Sequence, residues 1–346
     1  MQRYGIKVGI IIVVGILLSS CETVGYYSQS VVGHSKMMLA RESIDKAIDV
    51  SDGRRKELLV SAKSLRQFAV DELALPDNDS YLSFVDMKRK HPVWSVVAAE
   101  EFSITPVRWC YLVIGCASYR GYFSEIAANT YAEKMQKKGF ETIVGGVTAY
   151  STLGWFNDPL IPSMMRHGEV PMAEVMFHEL AHQQLYVNGN SAFNEAFATV
   201  VGEYGTVRWL ALNKPNKLAT YQQRMRVRND FSALIKLTKS RLEKLYQEPL
   251  DNSTMRDNKS EIFQQFRREY EQLKQGSWSG KAWYGSWMKQ PLNNARMASF
   301  ATYRDLVPQF SALLKKCGND FEKFYRVVAS QKGKGKQAIV PVTCSL

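Results

Sequence analysis

His178, Glu179 and His182 form a His-Glu-x-x-His pattern inside the apolar stretch Val175-Met176-Phe177-His178-Glu179-Leu180-Ala181-His182-Gln183-Gln184-Leu185. On a helix, residues four apart stand one above the other, so both imidazoles project from one face. Two imidazole nitrogens held that way fit two corners of a tetrahedral zinc site. Glu179 is offset from them and reaches a water at the metal rather than the metal itself, which is where a general base is wanted. The competing reading is a surface helix that happens to carry these side chains. Against it, the motif uses two of only five histidines in the chain, and Val175, Met176, Phe177, Leu180, Ala181 and Leu185 give the helix a core-facing side.

A third ligand follows from the turn that ends this helix. Val187-Asn188-Gly189-Asn190 is a strong turn signal, and Ser191 can cap a new helix running from Ala192 to Glu203. A helix-turn-helix returns the first turn of the second helix to the last turns of the first. Glu195 sits there and can complete a set of two His and one Glu, leaving the fourth position for water, as a catalytic zinc requires. Glu203 is a rival on sequence alone. Glu195 is preferred for its place at the helix start and its Asn-Glu-Ala context.

The N-terminus sets the expected compartment. Arg3 and Lys7 precede an apolar run, Val8 to Leu18, which is short for a membrane span and suited to a signal peptide. Leu18-Ser19-Ser20-Cys21 resembles a bacterial lipobox, so residues 1–20 read as a lipoprotein signal peptide and 21–35 as a tether lipidated at Cys21. Glu22, where Asp would favour inner-membrane retention, points to the outer membrane, facing the periplasm. Acyl chains there anchor the chain without a spanning helix. In an oxidising compartment the four remaining cysteines, Cys110, Cys116, Cys317 and Cys344, read as disulfide candidates with three possible connectivities. The pairings nearest in sequence, Cys110 with Cys116 and Cys317 with Cys344, are favoured. The composition, 45% hydrophobic and 12% aromatic over 346 residues, is that of a globular protein. The net charge of +12 comes with no nucleic-acid-binding motif and no compact arginine run, so no nucleic-acid partner is expected. Nothing in the sequence fixes the oligomeric state.

The positioning elements read as α+β: a mostly antiparallel sheet next to a zincin-type active-site helix pair, with helical parts at both ends. Residues 36–346 form the expected zincin-like domain, divided into 36–90 (helical), 91–169 (sheet lobe) and 170–346 (helical lobe). Helical spacing runs from Lys36 to Leu75, broken at Ser51-Asp52-Gly53. Strands are expected at Val93–Ala99, Phe102–Thr105, Val107–Ala117, Glu141–Val144 and Val147–Leu153, with a Ser124-capped helix up to Gly139. Val147–Leu153 reads either as a core strand or, by resemblance to zinc peptidases in which a sheet precedes the His-Glu-x-x-His helix, as the edge strand that pairs with an extended substrate. Helices are expected over 216–247, 258–274, 298–315 and 321–330, with an aromatic-rich loop at 276–287.

His178-Glu179-Leu180-Ala181-His182 followed by Asn194-Glu195-Ala196-Phe197-Ala198 resembles the gluzincin pattern of zinc metallopeptidases, in which Asn-Glu-Ala carries the third ligand. Together with the lipobox and the stretch Trp109-Cys110, Gly115-Cys116 and Tyr119-Arg120-Gly121-Tyr122-Phe123, the chain resembles a family of predicted bacterial aminopeptidases found as lipoproteins. The resemblance implies a Zn2+-dependent peptidase acting on a peptide substrate, with Glu179 as base and a Tyr or His donor to the oxyanion. Tyr303 leads as that donor, because Leu292-Asn293-Asn294-Ala295-Arg296 precedes it in a segment that can fold back over the cleft; Tyr150 and Tyr204 are the others, with Arg120 behind them. An aminopeptidase also needs an acid for the free amine, for which Glu125, Asp158 and Glu174 are candidates. Two features depart from the pattern. Only twelve residues separate His182 from Glu195, and Thr199 stands where thermolysin-like enzymes place a supporting Asp. The alternatives are a zinc endopeptidase, or an idle envelope lipoprotein that binds partners. Retention of Glu179 argues against the idle form, since a structural zinc needs no base.

Overall fold

The computed structural model describes residues 25–111, 115–152, 156–301 and 304–345. Cys21, the expected signal peptide and Tyr303 lie outside them. Residues 25–39, expected to begin as tether, form a helix, α1. It docks on the sheet lobe: Gln29 donates to the Gly121 carbonyl and accepts from the Phe123 amide, and Tyr26 stacks on Tyr111. Next come β1 (Glu42–Ser43), α2 (Ile44–Asp49), α3 (Gly53–Asp71) and β2 (Ser83–Phe84), with the α2–α3 break at the Ser51-Asp52-Gly53 signal.

The sheet lobe comprises β3 (Trp94–Glu100), β4 (Trp109–Tyr111), β5 (Gly115–Ala117), β6 (Arg120–Tyr122), α4 (Glu125–Gln136) and β7 (Phe140–Gly146). Strands β6, β3 and β7 form an antiparallel sheet in that order, with Val96 opposite Arg120 on one side and Val144 on the other. Alternation along β3 serves both faces. Trp94 and Val96 pack with Ala128 and Ala132 of α4, while Val97 and Ala99 pack against Ala295 of a later helix. Ser124 caps α4 through the Ala127 amide, and Gly139, at φ +88, turns the chain out of it.

Three strand expectations fail for identifiable reasons. The single strand 107–117 is a hairpin, β4–β5, with Cys110 opposite Cys116. The stretch 102–105 is a turn closed by the Ser103 amide on the Glu100 carbonyl. Residues 147–152 have strand composition but no strand partner beyond one bond from the Val147 amide to the Val93 carbonyl. Side chains take their backbone groups instead: Ser163 donates to the Thr148 carbonyl and Asp158 accepts from the Thr152 amide. The proposed edge strand for substrate is therefore absent among the described residues.

After the sheet come α5 (Pro162–Met165), α6 (Glu169–Gln184) and α7 (Ser191–Asn213), followed by α8 (Pro215–Leu245), α9 (Asn252–Gln275), α10 (Gly285–Met288), α11 (Asn294–Ala301), α12 (Val307–Lys316) and α13 (Phe321–Ala329). The expected helix 298–315 is thus two helices. Both α6 and α7 run through the main core. Phe177, Leu180, Phe193, Phe197 and Val201 are fully buried, and Phe197 meets Phe310, Phe324 and Tyr325. α8 and α9 form an arm with its own aromatic core, in which Phe231 stacks on Tyr284 and the loop residue Trp278 is fully buried. No helix of the described residues is long and apolar enough to cross a membrane.

Cys317 is bonded to Cys344, tying the C-terminal tail to the end of α12, and Cys110 is bonded to Cys116. A link across a sequence separation of 27 residues stabilises mainly by restricting the unfolded chain. Replacing both Cys317 and Cys344 with Ser should lower the unfolding free energy by about 3.5 kcal/mol, read from the urea midpoint under non-reducing conditions. An unchanged midpoint would show that the tail adds nothing to the fold.

Candidate metal centre

The centre is built where α6 and α7 lie against each other. Gly202 makes this approach possible: a Cβ there would lie 2.8 Å from the Glu174 carbonyl and 3.2 Å from His178 Cβ. Three residues on, a Cβ at Gly205 would lie 2.7 Å from Leu73 Cδ1 and 3.2 Å from Phe177 Cδ2. The spacing Glu195, Ala198, Gly202, Gly205 puts a carboxylate and small residues on one stripe of α7. The two helices therefore approach closely enough for the Glu195 carboxylate to reach the imidazoles of α6.

The turn between the helices is fixed by Asn194. Its Oδ1 accepts from the Val187 amide at 2.7 Å and its Nδ2 donates to the Val187 carbonyl at 2.8 Å. The side chain thus behaves like a paired backbone group and locks the start of α7 to the end of α6. Asn190, rather than Ser191, caps α7, accepting from the Phe193 amide. Asn194 is the residue that sequence reasoning undervalued. It stands beside Glu195 in the Asn-Glu-Ala run, and its pairing with a backbone seven positions earlier has no local signature.

His178 and His182 turn their Nε2 atoms toward each other at 3.2 Å. Glu195 Oε2 lies 3.4 Å from His178 Nε2, and its Oε1 lies 3.7 Å from His182 Nε2. Ligands of a tetrahedral ion at about 2.0–2.1 Å stand about 3.3–3.4 Å apart, so these spacings fit one shared ion. The three residues form the group that could hold a metal among the described residues, with ligand atoms all within 4.8 Å of one another. Burial pushes the His178 imidazole down, but the Glu195 hydrogen bond and the charges of Glu179 and Glu195 leave it raised. Burial likewise pushes the Glu195 carboxyl up, and the two imidazoles more than offset this, holding it well below the usual range.

Glu203, the rival ligand, is elsewhere. It is buried and bonded to Arg304 Nη1 at 2.8 Å, with Arg228 at 3.6 Å. Glu174 is held by Arg228 and by the Tyr221 hydroxyl; burial raises its carboxyl, and Arg228 outweighs that to leave it lowered. Asp158 is fully buried and accepts hydrogen bonds from Ser151, Thr152 and Gln183. Burial first, opposed by the Thr152 bonds and helped by the charge of Glu179, pushes its carboxyl up to about 6. Glu125 lies in the first turn of α4, exposed. Of the three acids proposed for an amine, then, two are occupied in the protein's own bonding.

The phenols are also redistributed. Tyr150 is hydrogen bonded to His34, and Tyr204 faces a groove between α7, α8 and α12. Arg120 stacks on Tyr26 and Tyr131. Tyr119 is a phenol that the charges of the site reach. Burial, then the charges of Glu195, Tyr186 and Glu179, push its phenol up to about 12, although 41% of the residue's surface remains exposed. Glu179 is half-buried and has no side-chain hydrogen bond among the described residues. Tyr119 stands in the stretch that carried the family resemblance, but nothing in its spacing ties it to the histidines.

A family model described as "Putative aminopeptidase" matches residues 25–338. No curated protein and no solved structure matches the chain.

The close α6–α7 approach predicts an inverted response to a conservative change. In an exposed helix interior, Gly→Ala gains up to about 1 kcal/mol. Gly202→Ala places a methyl against a backbone carbonyl and should instead cost about 1–3 kcal/mol, measured by urea unfolding. A stability gain would show that the helices are not held at this distance.

Proposed function

The chain belongs to the "Putative aminopeptidase" family, and from that premise we propose that it is a zinc-dependent aminopeptidase of gluzincin type. The observation that carries the reading is the convergence of His178, His182 and Glu195, with Glu179 beside them on α6. Two neutral nitrogens and one carboxylate are a donor set suited to zinc. The three residues would hold the ion; when bound, it supplies Lewis acidity to the scissile carbonyl and acidifies water. Glu179, free of protein partners among the described residues, takes the proton of the attacking water and passes it to the leaving amine. Tyr119 is our candidate donor to the developing oxyanion, because the charges of Glu195 and Glu179 reach its phenol. Tyr303 stays a proposal on sequence grounds alone.

We place the protein in the bacterial envelope, anchored through Cys21 to a membrane facing the periplasm, more specifically the outer membrane. The lipobox-like Leu18-Ser19-Ser20-Cys21 supports this. One observation favours an endopeptidase instead: Glu174 and Asp158 are already bonded within the protein, and an endopeptidase needs no acid for a free amine.

Two measurements test the proposal. Glu179→Gln should retain bound metal and lose about 10²- to 10⁴-fold in kcat/KM on peptides; undiminished turnover removes its role as base. Peptides with free N-termini should be trimmed one residue at a time, and N-acetylated copies should resist. Cleavage of the acetylated copies at internal bonds would establish the endopeptidase.

A further inference from the structure

Tyr81 has three unusual properties together. It is fully buried, its backbone is left-handed at φ +65, and its hydroxyl has no hydrogen-bond partner among the described residues. A bulky residue in that region of backbone space is strained and persists only where its surroundings over-determine it. Those surroundings are dense. The Tyr81 amide donates to the Asp158 carbonyl at 2.7 Å. Asn78 Nδ2 donates to Gln183 Oε1 at 2.7 Å, Gln183 Nε2 donates to Ser80 Oγ at 3.2 Å, and Arg66 donates to the Ser80 carbonyl.

Gln183 locates the loop relative to the site. Glu179 and Gln183 are four apart on α6 and share one helix face. Gln183 is bonded to Asn78 and Ser80, so Glu179 stands one turn up over the same loop, whose next residue is Tyr81. We propose that Tyr81 is a positioning residue for Glu179: its hydroxyl donates to one carboxylate oxygen and leaves the other facing His178, His182 and Glu195. The reading rests on Glu179 being the base.

Three further observations fit. The charge of Glu179 reaches the Tyr81 phenol, which burial and that charge together hold well above its ordinary range, so it remains a donor. Asp158, the other nearby carboxylate, is already taken by Ser151, Thr152 and Gln183. The Glu179 side chain is half-buried and has no side-chain hydrogen bond among the described residues, so its carboxylate is free to turn toward the loop that carries Tyr81.

The test is a double-mutant cycle on the full chain, read by urea unfolding and by peptide turnover. Tyr81→Phe should lower the urea midpoint in the wild-type background and leave it unchanged with Glu179→Ala. In the wild-type background it should also lower kcat about 10- to 100-fold, the worth of a hydrogen bond to a charged group, with KM and metal content unchanged. Equal midpoint shifts in both backgrounds, or none in either, overturn the assignment whatever the activity. If wild type shows no peptidase activity but the midpoints couple, the peptidase reading fails and the Tyr81–Glu179 contact stands.

Discussion

The centre of this protein depends on how closely α6 and α7 can approach. A single methylene at Gly202 would collide with a backbone carbonyl one turn from His178. Helix interiors disfavour glycine by about 1 kcal/mol, so its presence here is explained by packing rather than propensity. The consequence is functional. A carboxylate side chain is short, and Glu195 reaches both imidazoles only because the two backbones are close. Asn194 fixes the rotation and height of α7 from the other end by pairing with both polar groups of Val187.

Electrostatics add a second layer. Glu174, Glu179, Glu195, Glu203 and Asp158 all lie on or beside this helix pair. Arg228 and Arg304 compensate Glu174 and the buried Glu203 in a partly buried network, and hydroxyl, amide and glutamine donors satisfy Asp158. Breaking such a network by removing one partner leaves a charge unpaired, which typically costs about 3–5 kcal/mol. What remains is Glu195, set between two imidazoles, and Glu179, left without a partner among the described residues. Among these five acids, then, Glu174, Glu203 and Asp158 have protein donors, whereas Glu195 meets only the imidazoles and Glu179 has no side-chain hydrogen bond among the described residues.

Much of this was legible in the sequence. The imidazole pair follows from helical spacing, Glu195 from the turn at Gly189, and the favoured cysteine pairings from parity and sequence distance. The α+β class follows from the change of period near Pro92. Other parts were not, because they depend on contacts between distant segments. Residues 147–152 have strand composition, but Ser163 and Asp158 capture the backbone groups a strand would need. Tyr81 and Tyr119 lie far from the histidines in sequence, and only the folded loops put their phenols within reach of the Glu179 charge. Gly202 reads as a weak point in a helix until the facing helix is seen.

The central claim is that His178, His182 and Glu195 together hold one metal ion. Elemental analysis of purified wild-type, Glu195→Ala and Glu203→Ala proteins tests it directly. About one zinc per chain is expected in wild type and Glu203→Ala, and a large loss in Glu195→Ala. No bound metal in wild type, or loss with Glu203→Ala and retention with Glu195→Ala, would contradict it.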